Sequence, residues 1–266
     1  AGQPAVREGA EHGCKLVELP PATVPQSAAE IVGRYAGAIT PRTRVLLVSH
    51  VQATDGTVMP LHELCALARA NGALSVVDGA LGPGHVELRA GELGCDVYAA
   101  AFDRWINAGW GTGALYVRRD VQPRIWPTTG VANNASGAQA RYGTASRQLG
   151  PAIDGLGAAL DLQRAVTFPR IGARIRELAA YLRLQLATLP GAQILTPASA
   201  TLSGGVLSLR MPRGEHTAVA AALADEDGIV VGLVQQGGFD ALRLSVHPGN
   251  DLDQLDRCVG ALRRHL

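Results

Sequence analysis

The side chains able to do chemistry in this chain stand at the ends of apolar runs. Thr43 to His50 reads TRVLLVSH, Ala73 to Asp78 reads ALSVVD, and the run ending at Ala101 leads straight into Phe102-Asp103-Arg104-Trp105. Far downstream, Arg243 and His247 sit in LRLSVHPGND. His50 is a candidate general acid or base, because an ordinary imidazole titrates near neutrality; the same residue at a strand end also serves as a hydrogen-bonded part of a turn. Asp78 and Asp103 are candidate proton carriers, with helix capping, turn formation and ion pairing as their plainer uses. Arg104 and Arg243 each present a planar fork that suits a carboxylate. Arg104 is also readable as an inert ion-pair partner of Asp103, and the sequence leaves both readings open. Gly111-Thr112-Gly113 reads as a tight turn and lacks the strand and helix context of a dinucleotide fingerprint.

Composition narrows the chemistry. The 24 basic residues include a single lysine, Lys15, so Lys15 alone could form an imine with an aldehyde cofactor. Its position near the start, remote in sequence from Asp78, reads equally as a solvated surface residue. The formal charge of +1 is spread along the chain, which argues against a nucleic-acid partner. Cys14, Cys65, Cys95 and Cys258 are far apart, with no spacing that suits a metal; Cys65 and Cys95 read as small core residues. No long apolar run and no basic segment followed by an apolar one is present, so neither a membrane span nor a signal peptide is expected. A cytoplasmic location is the expectation that follows.

The elements that must position these side chains alternate. Cys14 to Leu19 reads as a short strand, and Ala28 to Ala38 as a helix opened by a Ser27/Glu30 capping box. Thr43 to His50 reads as a strand buried on both faces, and Leu61 to Asn71 as a helix stopped by Gly72. Strands follow at 73–78, 95–101 and 113–118, a pattern that predicts a mostly parallel, doubly wound α/β sheet. Ligands in such sheets sit beyond the carboxyl ends of the strands, where His50, Asp78 and the 102–104 segment all fall. Residues 120–150, rich in Gly, Pro, Asn and Ser, read as a long functional or subunit-crossing loop. Pro151 to Leu189 predicts two helices or one broken near Pro169. A strand at 206–210, a helix at 216–227, strands at 229–234 and 241–246 and a helix at 251–264 predict a compact α+β module. The expected domains are therefore 1–155, a large α/β domain, and 156–266, a small α+β domain.

Several of these segments resemble the class V aminotransferase family, in particular its isopenicillin N epimerase branch and the related cysteine desulfurases. They are Thr43 to Pro60, VDGA at Val77 to Ala80, DRW and GTG between Asp103 and Gly113, RYGT at Arg141 to Thr144, and LRLSVHPGND at Leu242 to Asp251. Together they are spread over most of the chain. The resemblance implies a type I pyridoxal-phosphate transferase fold, commonly a dimer with shared sites. It implies that Asp78 pairs with the cofactor's pyridinium nitrogen, that Thr144 reaches the cofactor phosphate of a neighbouring subunit, and that Arg243 holds the substrate carboxylate.

The same resemblance exposes departures. Arg104 stands where the family has its Schiff-base lysine, and a guanidinium is not a usable amine nucleophile. Ala101 and Phe102 replace the nearby hydroxyl and its neighbour, Asp103 replaces a histidine, and Leu81 replaces a Gln or His near the cofactor's phenolic oxygen. Relative to the family the large domain is expected to be short at its N-terminus and to lack the phosphate-cradling helix end. The expectation is a protein with no cofactor and no metal that binds a small carboxylate-bearing metabolite. Arg104, Arg243 and Thr144 would bind it, and His50, Asp78 or Asp103 would move protons. Two alternatives stand beside it. One is an inactive subunit or regulator, in a heterodimer with an active homologue rather than a homodimer. The other is a cofactor-dependent epimerase, lyase or aminotransferase whose missing parts come from another chain.

Overall fold

The computed structural model describes residues 13–19, 24–126, 141–143, 150–236 and 239–266. The first described helix is α1 (Ala28–Ala38), where Ser27 Oγ accepts the Glu30 amide at 3.2 Å. Glu30 Oε2 accepts the Gln26 amide at 2.9 Å, so the glutamate caps one residue upstream of the position that a full capping box uses. Cys14 to Leu19 makes no strand, and Leu16 and Val17 are exposed. Alternation alone does not fix a strand where no neighbouring edge receives its hydrogen bonds.

Strands β1 (Val45–Ser49), β2 (Leu74–Gly79), β3 (Val97–Ala101) and β4 (Gly113–Val117) form one sheet in that order. Helix α2 (Leu61–Ala70) links β1 to β2, and the one-turn α3 (Ala90–Leu93) precedes β3. The first three strands are parallel and β4 runs antiparallel to β3. Register sets Ser49 beside Asp78 and Asp78 beside Ala99, so three carboxyl ends open on one edge.

The two faces of this sheet differ. Leu46, Val48, Val77 and Tyr98 join Ile31 of α1, Leu64 and Cys65 of α2, and Cys95 in one apolar core. The opposite face carries Val45, Leu47 and Leu115, which are 51%, 44% and 51% exposed. The expectation that β1 is buried on both faces is therefore corrected: its residues alternate between open and buried. A parallel sheet covered on both sides reads as a continuous apolar run, and here the run is present while the described residues cover one side.

The long periodic stretch folds as α4 (Gly150–Val166) and α5 (Phe168–Leu186). The break falls at Thr167, whose φ is 79°, and Pro169 occupies the first turn of α5, where its missing N–H forgoes no helical bond. Position 155 lies inside α4. Beyond it, β5 (Gln193–Ile194), β6 (Val206–Arg210), β8 (Phe239–Ser245) and β7 (Gly232–Gln236) form an antiparallel sheet in the order β5-β6-β8-β7. Helices α6 (His216–Asp227) and α7 (Leu252–Arg263) complete this half. Asp251 and Gln254 cap α7 reciprocally, a full capping box. Ile175, Leu178, Leu182 and Leu186 of α5 pack with Leu207, Leu209, Leu242 and Leu262 in a second core. β5 is the strand that sequence periodicity misses, since two residues carry no period.

The halves are joined by backbone and side-chain bonds. Leu202 O accepts the Val58 amide at 2.9 Å, and Ser208 Oγ donates to Thr54 O at 2.6 Å. Trp105, although it follows β3, belongs to the second core. Among the described residues no helix is long and apolar enough to cross a membrane, and no cluster of three metal-ligating side chains forms. Cys65 and Cys95 are buried, as their surroundings in the sequence suggest.

Candidate functional site

Sequence places His50, Asp78, Asp103 and Arg104 at strand ends and Arg243 within a strand, and the fold brings their carriers to the junction between the two sheets. Asp78 is half-buried at the end of β2, and its Oδ1 accepts the Ala80 amide at 3.0 Å. That short bond shapes the turn and fixes the carboxylate's direction. His50 lies beneath this turn, with 4% of its surface exposed. Its amide donates to Asp78 O at 2.8 Å, and its Nδ1 lies 2.8 Å from Tyr98 Oη. A methyl group at Gly82 would sit 2.7 Å from His50 Nδ1 and in contact with Tyr98 Oη, so the chain after Asp78 closes directly on the pair.

Burial lowers the His50 pKa to about 4, helped by the neighbouring His85, and it raises that of the Tyr98 phenol. Both groups are accordingly neutral at pH 7. The histidine that sequence reasoning offers as an acid or base is thus a buried imidazole engaged with a phenol that sequence reasoning did not single out. Tyr98 was legible only as an aromatic inside a buried strand.

The segment after β3 forms a tight hairpin turn. The Phe102 amide donates to Thr112 O at 3.0 Å, the Ala108 amide to Phe102 O at 3.0 Å, and the Thr112 hydroxyl to Gly109 O at 2.6 Å. Asn107 takes a left-handed conformation with φ of 62°, which reverses the chain and leaves Arg104 at the tip. Arg104 is exposed, and its Nε lies 3.8 Å from Asp103 Oδ1. At that distance and exposure the pair is worth little to stability, so Asp103 leaves most of the guanidinium's charge available.

Arg243 reaches the same junction from β8. It is half-buried, its Nη1 lies 3.4 Å from Ala53 O, and Gly232 on β7 leaves room beside its guanidinium. Burial lowers its pKa, and the charge of Arg104 adds to the effect. Two guanidiniums and two half-buried carboxylates, Asp78 and Asp103, are thus the charged groups that the sequence offers for this junction. His247 lies just past β8, where its Nδ1 accepts the Gly249 amide at 3.2 Å. Its Nε2 lies 3.1 Å from Asn107 Nδ2 in the turn that carries Arg104.

Thr144 lies outside the described residues, as does most of the 120–150 loop. Lys15 is exposed in the segment 13–19. Leu81 packs against the second core rather than standing free in the junction. The side chains gathered directly about the Asp78 turn are thus the His50 imidazole and the Tyr98 phenol. Pyridoxal phosphate needs a primary amine for its covalent attachment, and a guanidinium at the tip of the 102–108 turn does not fit that requirement.

Comparison with known proteins adds the relatives. The model of the family described as aminotransferase class-V matches residues 5–243. Isopenicillin N epimerase of Amycolatopsis lactamdurans is 33% identical over 250 residues, 88% of this chain and 63% of that protein. The epimerase of Streptomyces clavuligerus is 31% identical over 274 residues, 96% of this chain and 69% of that protein. A probable cysteine desulfurase of Pseudomonas putida is 32% identical, over 86% of this chain and 60% of its own length. The chain therefore spans roughly two thirds of the length of the relatives it matches. Among solved structures, the apo cysteine desulfurase of Thermococcus onnurineus NA1 superposes with a TM-score of 0.81 at 23% identity, covering 97% of this chain and 68% of that one. A cystine C-S lyase in complex with cysteine persulfide superposes at 0.78 and 26% identity, covering 89% of this chain and 66% of that one.

Proposed function

The chain belongs to the class V aminotransferase family, and on that premise we propose that it binds a small carboxylate-bearing metabolite without an internal aldimine. The observation that carries this reading is Arg243, a half-buried guanidinium whose Nη1 lies 3.4 Å from Ala53 O. By family resemblance a second guanidinium, Arg104, takes the position of the lysine, and its charge acts on Arg243. The chain's single lysine lies exposed in the segment 13–19.

Arg243 supplies the planar fork that holds the carboxylate, and partial burial strengthens that bond by excluding water. Arg104 adds a second positive charge at the open side. Asp103 and Asp78 are the carboxylates to which we assign proton exchange with a bound molecule. His50 contributes through Tyr98 and the Asp78 turn, because its own ring is sealed beneath them. No step is assigned to pyridoxal phosphate. Thr144 remains a proposed further ligand on family resemblance.

The test is calorimetric titration with succinate, acetate and L-alanine as probes. Replacing Arg243 with Ala is expected to weaken binding of the tightest probe by about 30-fold or more, the equivalent of about 2 kcal/mol. An affinity unchanged by the substitution would remove Arg243 from the site.

A second reading is favoured by the open sheet face at Val45, Leu47 and Leu115. An inactive subunit paired with an active homologue would cover such a face, and cofactor chemistry would then reside in the partner. Purification of the tagged chain from its own cells separates the readings. A homodimer free of recurring partners sinks the subunit role, and a stoichiometric homologue supports it.

A further inference from the structure

We propose that His85 is a positioning residue: its imidazole, fixed between two backbone groups and stacked on Trp105, sets where the Arg104 turn stands relative to the strands that carry Arg243. The consequence for binding rests on the proposed roles of the two arginines, while the positional claim stands on geometry alone.

His85 is 3% exposed and touches both halves. The Gly205 amide donates to its Nε2 at 2.6 Å, so that nitrogen must be the unprotonated one. Its Nδ1 therefore carries the proton and donates to Leu81 O at 2.8 Å. Both partners are main-chain groups, which permits one tautomer and one ring orientation. Burial lowers the ring's pKa to about 4 and keeps it in that neutral form at pH 7. A methyl at Gly204 would lie 2.5 Å from Nε2, so the strand entering β6 passes against the ring edge.

The ring face stacks on Trp105, with centroids 4.0 Å apart and planes 10° from parallel. Trp105 Nε1 donates to Val246 O at 2.9 Å, and Trp105 O accepts Gln163 Nε2 at 3.0 Å. The Val246 amide in turn donates to Gly205 O at 2.8 Å. The chain of contacts thus closes on itself: Leu81, His85, Gly205, Val246, Trp105 and back to His85. Arg104 is the residue before Trp105, and Arg243 lies three residues before Val246. A tilt of the imidazole would therefore move one arginine against the other.

The test uses the full chain with Trp110 and Trp126 changed to Phe; these two are 89% and 72% exposed, so Trp105 becomes the only indole at little structural cost. Hydrogen exchange of the Trp105 indole proton and of the Gly205 and Ala108 amides is read by NMR in this background. His85→Phe keeps an aromatic ring and removes both hydrogen bonds. We expect exchange at all three sites to rise tenfold or more, while the amides of α5 keep their protection. His85→Gln, which restores an acceptor, is expected to recover protection at Gly205 and carries the readout if the Phe variant fails to fold.

Unchanged exchange at Trp105 and Gly205 would overturn the proposal. So would loosening of those two sites with Ala108 in the Arg104 turn still fully protected, because that result describes a merely structural ring. In succinate titrations the effect of His85→Phe is expected to vanish once Arg104 is Ala. Additive effects would mean that His85 does not act through Arg104. If the unmodified chain binds no probe, the carboxylate reading fails while the exchange measurement still decides the role of His85.

Discussion

At the scale of single residues, two buried imidazoles define how the protein responds to acid. His50 and His85 have folded pKa values of about 4, both lowered first by burial. An unfolded histidine titrates near 6.5. A depressed folded value means that the native state resists protonation, so the stability these groups contribute is full above about pH 6.5. It is lost as pH falls from there toward 4. Each group is worth on the order of 3 kcal/mol across that window. Urea unfolding at pH 7 and pH 5 is expected to show a clear loss of stability, and His85→Phe should show a shallower one, by about one proton's linkage. Equal slopes in the two proteins would contradict the neutral, buried state of His85. The sequence marked His50 through its place at a strand end, yet nothing in it distinguished a solvent-facing base from a sealed one. That difference depends on Tyr98 and on the turn through Gly82, both of which act across strands. His85 was passed over because its partners, Gly205 and Trp105, are remote in sequence.

At the scale of elements, periodicity located α1, α2, β2, β6 and α7 within one or two residues, most directly in α2, β2 and α7, whose buried positions follow the element's own repeat. It misjudged β1, where an unbroken apolar run implied two covered faces. Only Leu46 and Val48 meet the core, while Val45 and Leu47 face outward. This asymmetry can be measured. Leu64 on α2 is fully buried, and its change to Ala should destabilise the protein by about 3 kcal/mol. Changing Leu47 to Ala in an isolated chain should alter stability by no more than about 0.5 kcal/mol. A large loss at Leu47 would mean that its face is covered in solution by something that binds tightly. Cys14 to Leu19 failed as a strand for a related reason: local alternation was present, and among the described residues no edge pairs with it.

At the scale of the whole molecule, Trp105 ties the turn that carries Arg104 to the end of the strand that carries Arg243. The family was legible in ordered motifs spread over most of the sequence. Substrate and turnover were not legible, since they depend on contacts that a strand-end position does not specify. The central claim is that this junction holds a carboxylate by guanidinium charge in place of a covalently attached aldehyde cofactor. Its most direct test is to incubate the purified chain with pyridoxal phosphate, record the visible spectrum, reduce with borohydride and map any adduct by mass spectrometry. The account predicts no imine band and no reduced adduct. A stoichiometric adduct on Lys15, abolished by Lys15→Arg, would contradict it.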